Sequence, residues 1–213
     1  MFEDLKSDLK VYCKRDRSLA AMVRVLRRSY GFQATLVYRF GRWVELKLAN
    51  PAFLPLRCAL LAVHACLDLV VEKAFGIHID RRADIGGGLH IYHFGGIVIG
   101  RCQVGENCRV HQHVRIGECA ARDGGSRPRV GDNVWIGPHA RIVGSVTVGN
   151  NVTVAAGSVV TRDVGDRCLV GGNPSRVVNP NYDNTALFRE RIEAEEDEAG
   201  ASSSHESDVG AAG

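Results

Sequence analysis

Histidine is the side chain in this sequence best suited to moving a proton, and His93 has the most distinctive setting. Eight histidines occur along the 213 residues. His93 lies in the run Tyr92-His93-Phe94-Gly95-Gly96. An imidazole with a pKa near neutrality can take a proton from a hydroxyl group and return it to a leaving group. By residue type alone a single histidine is more often structural, so the surrounding sequence has to decide.

A repeat of six residues surrounds His93 and must position it. Branched aliphatic residues recur every six residues, often followed by glycine, with a one-residue slip after Ile97 and a gap before Val130. Neither a helix nor an isolated strand gives this spacing. A fixed period with β-branched residues and turn glycines is typical of a parallel β-helix. The aliphatic positions are Ile79, Ile85, Ile91, Ile97, Val104, Val110, Ile116, Val130, Ile136, Ile142, Val148, Val154 and Val160.

The gap in the repeat is a second candidate functional feature. Thirteen residues, 117–129, separate Ile116 from Val130 and are polar and glycine-bearing. An interruption inside a strict repeat predicts a loop that protrudes from one face, often the binding face. Arg127, near the end of this segment, offers a cation for a carboxylate or a phosphate group.

Composition and charge are those of an ordinary soluble protein. Hydrophobic residues make up 45% and charged residues 24%, and a net charge of +3 is too small to imply a nucleic-acid partner. The number of cysteines, seven, is odd, and no CxxC motif occurs. No signal peptide is recognisable in the sequence. We therefore expect a reduced, cytoplasmic location. Cys102 and Cys108 are predicted to point into the coil as small hydrophobic residues.

The segments that flank the repeat divide the chain into three predicted regions. These are a helical region over residues 1–76, a β-helix over 77–180, and an acidic, largely disordered tail over 181–213. Residues 1–50 hold 11 Lys or Arg against 5 Asp or Glu. This excess predicts a solvated helix face or, alternatively, attraction to an anionic surface or substrate.

The most apolar run, residues 53–75, predicts one long helix. Arg57, His64, Asp68 and Glu72 fall on one face of it as a narrow polar stripe, which a lipid-spanning helix would rarely carry. We expect this helix to be buried on most sides against the coil or a sister subunit. Peripheral contact with a membrane is the alternative.

Four runs together resemble the hexapeptide-repeat acyltransferases, and most closely the serine O-acetyltransferase group: GLHIYHFGGIVIG, GDNVWIG, AAGSVVTRDV and GGNPSRVV. The resemblance covers roughly residues 77–180. It implies a mainly β protein with a left-handed β-helix of triangular section, forming a homotrimer or a dimer of trimers with active sites between neighbouring coils. It also implies acetyl-CoA as a co-substrate, with no bound cofactor, and a hydroxyl group as acceptor.

The same resemblance assigns roles to particular residues. His93 stands where the family carries its catalytic base. The resemblance also implies acetyl-CoA contacts along the coil and at its end, where small residues let the backbone approach a ligand closely. These contacts are Gly117, Ala140, Ala156, Gly157, Asn173, Pro174 and Arg176.

The positions that would bind or orient the acceptor depart from the family pattern. Tyr92 replaces an aspartate that usually precedes the histidine, and His78 replaces a second aspartate that orients it. Asp80 could substitute for that second aspartate only if the strand register shifts. Arg127 precedes the proline where the family usually has Arg-His. The run His93-Phe94-Gly95-Gly96 resembles that of the serine-acetyltransferase-like enzymes of exopolysaccharide pathways. Together with the departures, this resemblance favours a sugar or polysaccharide precursor as acceptor, with L-serine as the alternative.

Two other interpretations use the same coil. A zinc enzyme of the γ-carbonic-anhydrase kind needs histidines five residues apart, but Ile116 and Glu118 stand five residues after His111 and His113, so we expect no metal. A non-catalytic trimeric scaffold is the other interpretation. His93, the predicted loop and the GGNPSRVV ending argue against it.

Overall fold

A computed structural model describes residues 2–13, 18–117 and 127–188, and a parallel β-helix is its central feature. The chain forms two compact units, Met1–Tyr182 and Asp183–Gly213. Of the second unit, residues 183–188 are described, and a helical turn occupies residues 185–188. Most of the predicted loop and most of the predicted disordered tail lie outside the described residues.

Helices form the first part of the chain, and their ends follow local sequence signals. The side chains of Ser18 and Ser29 accept hydrogen bonds from the first turns of the helices that follow them. Pro55 lies in the first turn of the last helix, and Gly76 ends that helix in the left-handed conformation. The helices are α1 (Phe2–Cys13), α2 (Leu19–Arg28), α3 (Tyr30–Lys47), a 3-10 turn (Pro51–Phe53) and α4 (Leu54–Phe75).

Short strands then wind into a triangular coil with three faces. Strands on each face pair in parallel with the strand one coil earlier and one coil later, and only the last strand, β15, runs antiparallel within the described chain. Face A consists of β1 (Ile77–Ile79), β4 (Ile97–Ile99), β7 (Arg115–Gly117), β10 (Arg141–Val143) and β13 (Val159–Val160). Face B consists of β2 (Asp84–Ile85), β5 (Gln103–Val104), β8 (Arg129–Val130) and β11 (Thr147–Val148). Face C consists of β3 (His90–Ile91), β6 (Arg109–Val110), β9 (Trp135–Ile136), β12 (Thr153–Val154), β14 (Leu169–Gly171) and β15 (Arg176–Asn179).

The predicted β-helix is confirmed, because the repeated aliphatic side chains point inward and stack coil on coil. On face B, Ile85 pairs with Val104, Val104 with Val130, and Val130 with Val148. All four side chains are buried. The predicted inward cysteine Cys108 is also buried, and that burial raises the pKa of its thiol to about 12. This thiol is therefore part of the packing and is not ionised at neutral pH.

The apparent slip in the repeat has a different origin from the one the sequence suggests. Ile99, and not Ile97, pairs with Ile79 of the first coil. Ile91 pairs with Val110, and Val98 pairs with Arg115. The chain therefore advances seven residues between these two pairs in the first coil but five residues in the second. The corner that contains His93 is thus two residues longer than the next one. The segment from Ile99 to Val104 is one residue shorter than the segment from Ile79 to Ile85, with which it pairs. This difference offsets one of the two additional residues and partly restores the phase of the six-residue repeat.

At the corner between faces B and C, side chains link successive coils in one direction. Asp132 Oδ1 accepts the backbone N–H of Glu106 at 2.7 Å. Asn150 Oδ1 accepts that of Asp132 at 2.9 Å, and Asp166 Oδ1 accepts that of Asn150 at 2.7 Å. Each coil therefore satisfies a backbone donor of the coil before it.

A buried ion pair attaches the helices to the first coil. Arg39 of α3 and Asp8 of α1 form two hydrogen bonds, from Nε at 2.9 Å and from Nη2 at 3.2 Å. The same guanidinium donates to the carbonyls of Ile85 and Gly86, each at 2.6 Å, and Asp8 accepts the N–H of Leu89 at 2.9 Å. The charges are paired and fully hydrogen-bonded, as burial of an ion pair requires.

Helix α4 packs in the opposite sense to the one expected from its composition. Its polar stripe faces the protein: Arg57 pairs with Glu45 of α3 at 3.3 Å, and His64 is 3% exposed against Gly41 of α3. The apolar side chains on the remainder of the helix are exposed. The expectation that this helix is buried against the coil is therefore wrong for the single chain. The polar stripe was identified from the sequence, but the side it faces depends on the partners that α3 and β1 offer.

Candidate active site

The candidate site lies along one edge of the triangular coil, between face C and face A, which we call the C/A edge. His93 occupies this edge in the first coil, His113 in the second, His139 in the third and Gly157 in the fourth. The three histidines have φ values of 62°, 59° and 60°, which places each in the left-handed conformation that a tight corner requires. The edge therefore presents one residue per coil to its outer side.

His93 is exposed at the longest of these corners. The backbone around it is fixed by α4, because Gly95 N–H donates to the carbonyl of Phe75 at 2.8 Å and Ile97 N–H donates to that of Gly76 at 3.0 Å. The imidazole is thus held on a rigid corner while its ring stays open to solvent. This is the arrangement needed by a base that meets a diffusing substrate.

The corner closes against the next coil at Gly96. A Cβ on Gly96 would collide with the ring of His113, which lies beneath it. His113 in turn stacks on His139, with ring centroids 4.5 Å apart and planes 15° apart. The longer His93 corner therefore sits directly on a pair of stacked imidazoles.

Tyr92 does not reach solvent beside His93. Its ring is 8% exposed and stacks on His111 with centroids 4.6 Å apart, and it also contacts His90 at 4.1 Å. It belongs to an aromatic column on face C that continues from His111 to Trp135. The residue that replaces the family's aspartate is therefore part of the packing of face C.

His78 lies on face A and contacts carboxylates of α4. Its Nδ1 is 3.7 Å from Asp68 Oδ2 and 3.5 Å from Glu72 Oε2. Among the described residues these three form the one group whose ligating atoms lie within 4.8 Å of one another. Sequence analysis missed this group because it combines a helix and a strand, although the polar stripe on α4 already contained two of its members.

Asp80 does not take the place of the missing aspartate. The register around it is regular, since His78 pairs with Val98 and Asp80 N–H donates to the carbonyl of Ile99 at 2.8 Å. Its carboxylate accepts the N–H of Arg82 at 2.8 Å and lies 3.8 Å from Arg101 Nε. Asp80 therefore belongs to the corner between faces A and B.

Most of the residues implied as acetyl-CoA contacts gather on the C/A edge. Ala140, Ala156 and Gly157 lie at its corners, and the turn with the cis Asn173-Pro174 bond follows β14 there. That turn is anchored to face A, because Ser175 N–H donates to the carbonyl of Val159 at 2.9 Å. Arg176 begins the return strand next to the turn, whereas Gly117 ends β7 at the far side of face A.

Arg127 lies on a different edge, between faces A and B, which we call the A/B edge. A cleft of about 700 Å³ opens there and is lined by Arg42, Arg82, Arg127 and Arg129 among others. Arg42 is paired with Asp84 at 2.7 Å. Because His93 and Arg127 occupy different edges of the coil, a single chain does not bring them together.

The two histidines considered as metal ligands occupy different environments. His111 is 2% exposed, and its Nδ1 lies 3.0 Å from the carbonyl oxygen of Ile136. His113 is exposed on the C/A edge. They therefore do not converge on one site.

Comparison with known proteins identifies the family. Residues 127–162 match the model described as bacterial transferase hexapeptide (six repeats). A serine acetyltransferase of Synechococcus elongatus is 34% identical over 179 residues, which cover 84% of this chain and 69% of that protein. One of Bacillus pumilus is 32% identical over 181 residues, covering 84% and 78%. The chain belongs to the serine acetyltransferase family. Among solved structures, a soybean serine acetyltransferase in complex with serine has a TM-score of 0.67 at 29% identity, covering 83% of this chain and 68% of that one.

Family membership confirms two predictions made from the sequence. The chain is an acyltransferase, and its coil is the left-handed β-helix of hexapeptide-repeat transferases. The hand could not come from the period of six residues, because that period is the same for either hand. Left-handed crossovers run against the usual preference of parallel strands, so the family likeness was needed.

Proposed function

We propose that the chain transfers the acetyl group of acetyl-CoA to the hydroxyl group of L-serine. The observation that carries the proposal is the exposed His93 on a rigid corner, in line with the small residues of later coils along the C/A edge. The relatives named above are serine acetyltransferases, and the soybean structure contains serine. We further propose a cytoplasmic location, where acetyl-CoA and serine are both available.

The comparisons favour serine over the sugar hydroxyl to which the sequence pointed. Tyr92 cannot bind an ammonium group as an aspartate does, which favours a sugar as acceptor. In the structure, Tyr92 is packed on His111. An ammonium partner must therefore come from another residue. Since this packing leaves the acceptor pocket without a carboxylate at position 92, a sugar hydroxyl is kept as the second candidate.

The reaction needs one base and no covalent enzyme intermediate. His93 takes the hydroxyl proton of serine as the serine oxygen attacks the thioester carbonyl. The resulting tetrahedral intermediate carries a negative oxygen, for which backbone N–H groups at the glycine-rich corner are suitable donors. When the carbon–sulfur bond breaks, the imidazolium returns its proton to the CoA thiolate. The products are O-acetylserine and CoA, and His93 ends in its starting state.

The complete site requires more than one chain in this proposal. His93 lies on the C/A edge, and the arginine-lined cleft with Arg127 lies on the A/B edge. In a homotrimer, the A/B edge of one chain can face the C/A edge of its neighbour. The guanidinium groups would then bind the carboxylate of serine while His93 of the neighbouring chain acts on its hydroxyl.

The test is an acceptor screen that follows thiol release from acetyl-CoA with serine, free sugars and nucleotide sugars. We expect turnover with L-serine and a loss of about 10²–10⁴-fold in kcat for His93→Ala. His113→Ala is the matched control, because it removes an imidazole from the equivalent corner one coil later, and it should keep most of the turnover. Turnover with a sugar but none with serine would show that the acceptor is the sugar hydroxyl and not serine. Wild-type turnover in His93→Ala would show that His93 is not the base.

A further inference from the structure

Helix α4 presents an apolar surface to the outside of the molecule. Residues Pro51–Phe75 have a mean hydropathy of 1.8 in their most apolar window, and only 11% of that window is buried. A core helix of this composition would be mostly buried, so its composition is not explained by packing within the chain. The large exposed side chains of α4 are Leu54, Leu56, Val63, Leu67, Leu69 and Val70.

The apolar surface of α4 is wide as well as long. At about 100° per residue, the exposed side chains cover an arc of about 220°. Within this fully described helix, the charged side chain in the middle of the arc is Lys73, in the last turn. The carboxylates Asp68 and Glu72 face His78 on the protein side. Glu72 is 47% exposed and lies at the edge of the arc. The outer surface is therefore apolar along most of the helix, with its charges confined to the last turn.

Helix α2 also exposes apolar side chains. Leu19, Val23 and Leu26 form a stripe at spacings of four and three, with exposures of 77%, 47% and 46%. Exposed arginines flank this stripe at positions 24, 27 and 28, and the helix contains no acidic residue. An apolar stripe bordered by arginines is characteristic of a helix that lies in a membrane interface.

Aromatic contacts bring the end of α4 close to the turn that follows α2. Tyr30, which follows α2 by two residues, lies 4.7 Å from Phe75 at the end of α4. The ring of Tyr30 also contacts Phe94 at 5.5 Å, and Phe94 is 59% exposed. Tyr30 and Phe94 therefore lie where the C-terminal ends of α2 and α4 meet. Aromatic side chains at such a position suit the boundary between lipid and water.

We propose that α2 and α4 form a docking surface for an anionic phospholipid bilayer, on which the enzyme lies as a peripheral protein. Packing against one further helix covers a stripe of about 100°. A second copy meeting α4 through a helix would leave about half of the 220° arc exposed, whereas a bilayer covers all of it. The arginines of α2 select anionic headgroups.

The surface lies flat on the membrane and does not cross it. Arg57, His64, Asp68 and Glu72 are engaged with α3 and β1 along the inner side of α4. A spanning orientation would carry these partners into the hydrocarbon, at high cost in free energy. An in-plane orientation leaves them on the protein side.

The experiment measures co-sedimentation of the full chain with vesicles of phosphatidylcholine, alone or mixed in equal parts with phosphatidylglycerol. We expect binding to the mixed vesicles. Leu69→Gln/Val70→Gln should weaken it at least about tenfold, since it removes two apolar side chains from the interface. Arg27→Gln/Arg28→Gln should weaken binding to the mixed vesicles about thirtyfold and should leave binding to phosphatidylcholine unchanged.

Val178→Gln is the matched control, because Val178 is equally apolar and 65% exposed but lies on β15 at the other end of the coil. It should bind like the wild type. Melting followed by circular dichroism and thiol release establish that each variant is folded and active. No binding of the wild type to mixed vesicles overturns the proposal. So does a result in which Leu69→Gln/Val70→Gln alters only the mass of the assembly by light scattering, because a second copy then covers the helix.

Discussion

Gly96→Ala tests whether the close approach of the His113 ring requires glycine in the corner that carries His93. Gly96 has a φ of 65°, and its Cβ position is filled by the ring of His113, with Cε1 at 3.1 Å and Cγ at 3.2 Å. An alanine here would have to push that ring off its stack with His139 or shift the corner itself. Either movement would displace His93, because His93 and Gly96 belong to the same short, tightly held turn.

The expected loss of stability has two parts. An L-residue in the left-handed conformation costs roughly 1–2 kcal/mol. Loss of the His113–His139 stack adds about 0.5–1.5 kcal/mol. Gly96→Ala should therefore lower the free energy of unfolding by about 1.5–3.5 kcal/mol. Displacement of His93 by about 1 Å would lower kcat by about a hundredfold.

A double-mutant cycle separates the two parts, with stability from urea unfolding and activity from thiol release. In a His113→Ala background, Gly96→Ala should cost only the strain of about 1–2 kcal/mol, because the collision is gone. Gly95→Ala is the matched comparison. Gly95 also has a positive φ, but the nearest ring atom of His113 lies 3.9 Å from its Cβ position, so His113→Ala should not rescue it.

An equal cost in free energy for Gly96→Ala with and without the His113 ring would contradict this expectation. Equal rescue of both glycine variants by His113→Ala would contradict it as well. In either case the ring of His113 would not be what makes alanine unfavourable at position 96.

Two further predictions concern the helices. Arg39→Met should destabilise the protein by about 3–5 kcal/mol in urea unfolding, because Asp8 is left buried without its partner; Asp8→Asn/Arg39→Met should recover much of the loss, and equal losses in both variants would contradict this. Burial lowers the pKa of His64 from its ordinary value of 6.5, so the folded state favours the neutral ring. The stability that follows is present above pH 6.5 and is lost as the pH falls through the lowered pKa, so His64→Gln should flatten the pH dependence of the melting temperature there. An unchanged slope would exclude His64 as its source.

The sequence allowed the coil to be predicted because its period fixes the register. Each inward aliphatic residue pairs with one a coil away, so positions such as Ile85 and Val148 identify the core without knowledge of the fold. The slip after Ile97 could not be resolved in this way. Ile97 and Ile99 are both aliphatic and both buried, so a lengthened corner and a simple shift of phase leave the same pattern in the sequence.

The candidate site was predictable only in part. The motif around His93 and the small residues at the corners identify the C/A edge, because every coil repeats the same order of faces. Sequence spacing does not show that Arg127 opens onto the other edge, nor that the ring of Tyr92 stacks on His111. Those facts depend on which corner each segment occupies and on the rings that neighbouring coils place beside it.

The side chains of Asp132, Asn150 and Asp166 determine from which end the coil unfolds. Each of them accepts a hydrogen bond from a backbone N–H of the coil before it. Unfolding of the last coil therefore leaves that N–H of the preceding coil without its partner. In a protein built of repeats, where each unit contacts only its neighbours, fraying then advances from the C-terminal end. His93 stands in the first coil, which the Arg39–Asp8 pair attaches to the helices, and so belongs to the part that opens last. Local unfolding at the C-terminal end of the coil can therefore occur without displacing His93.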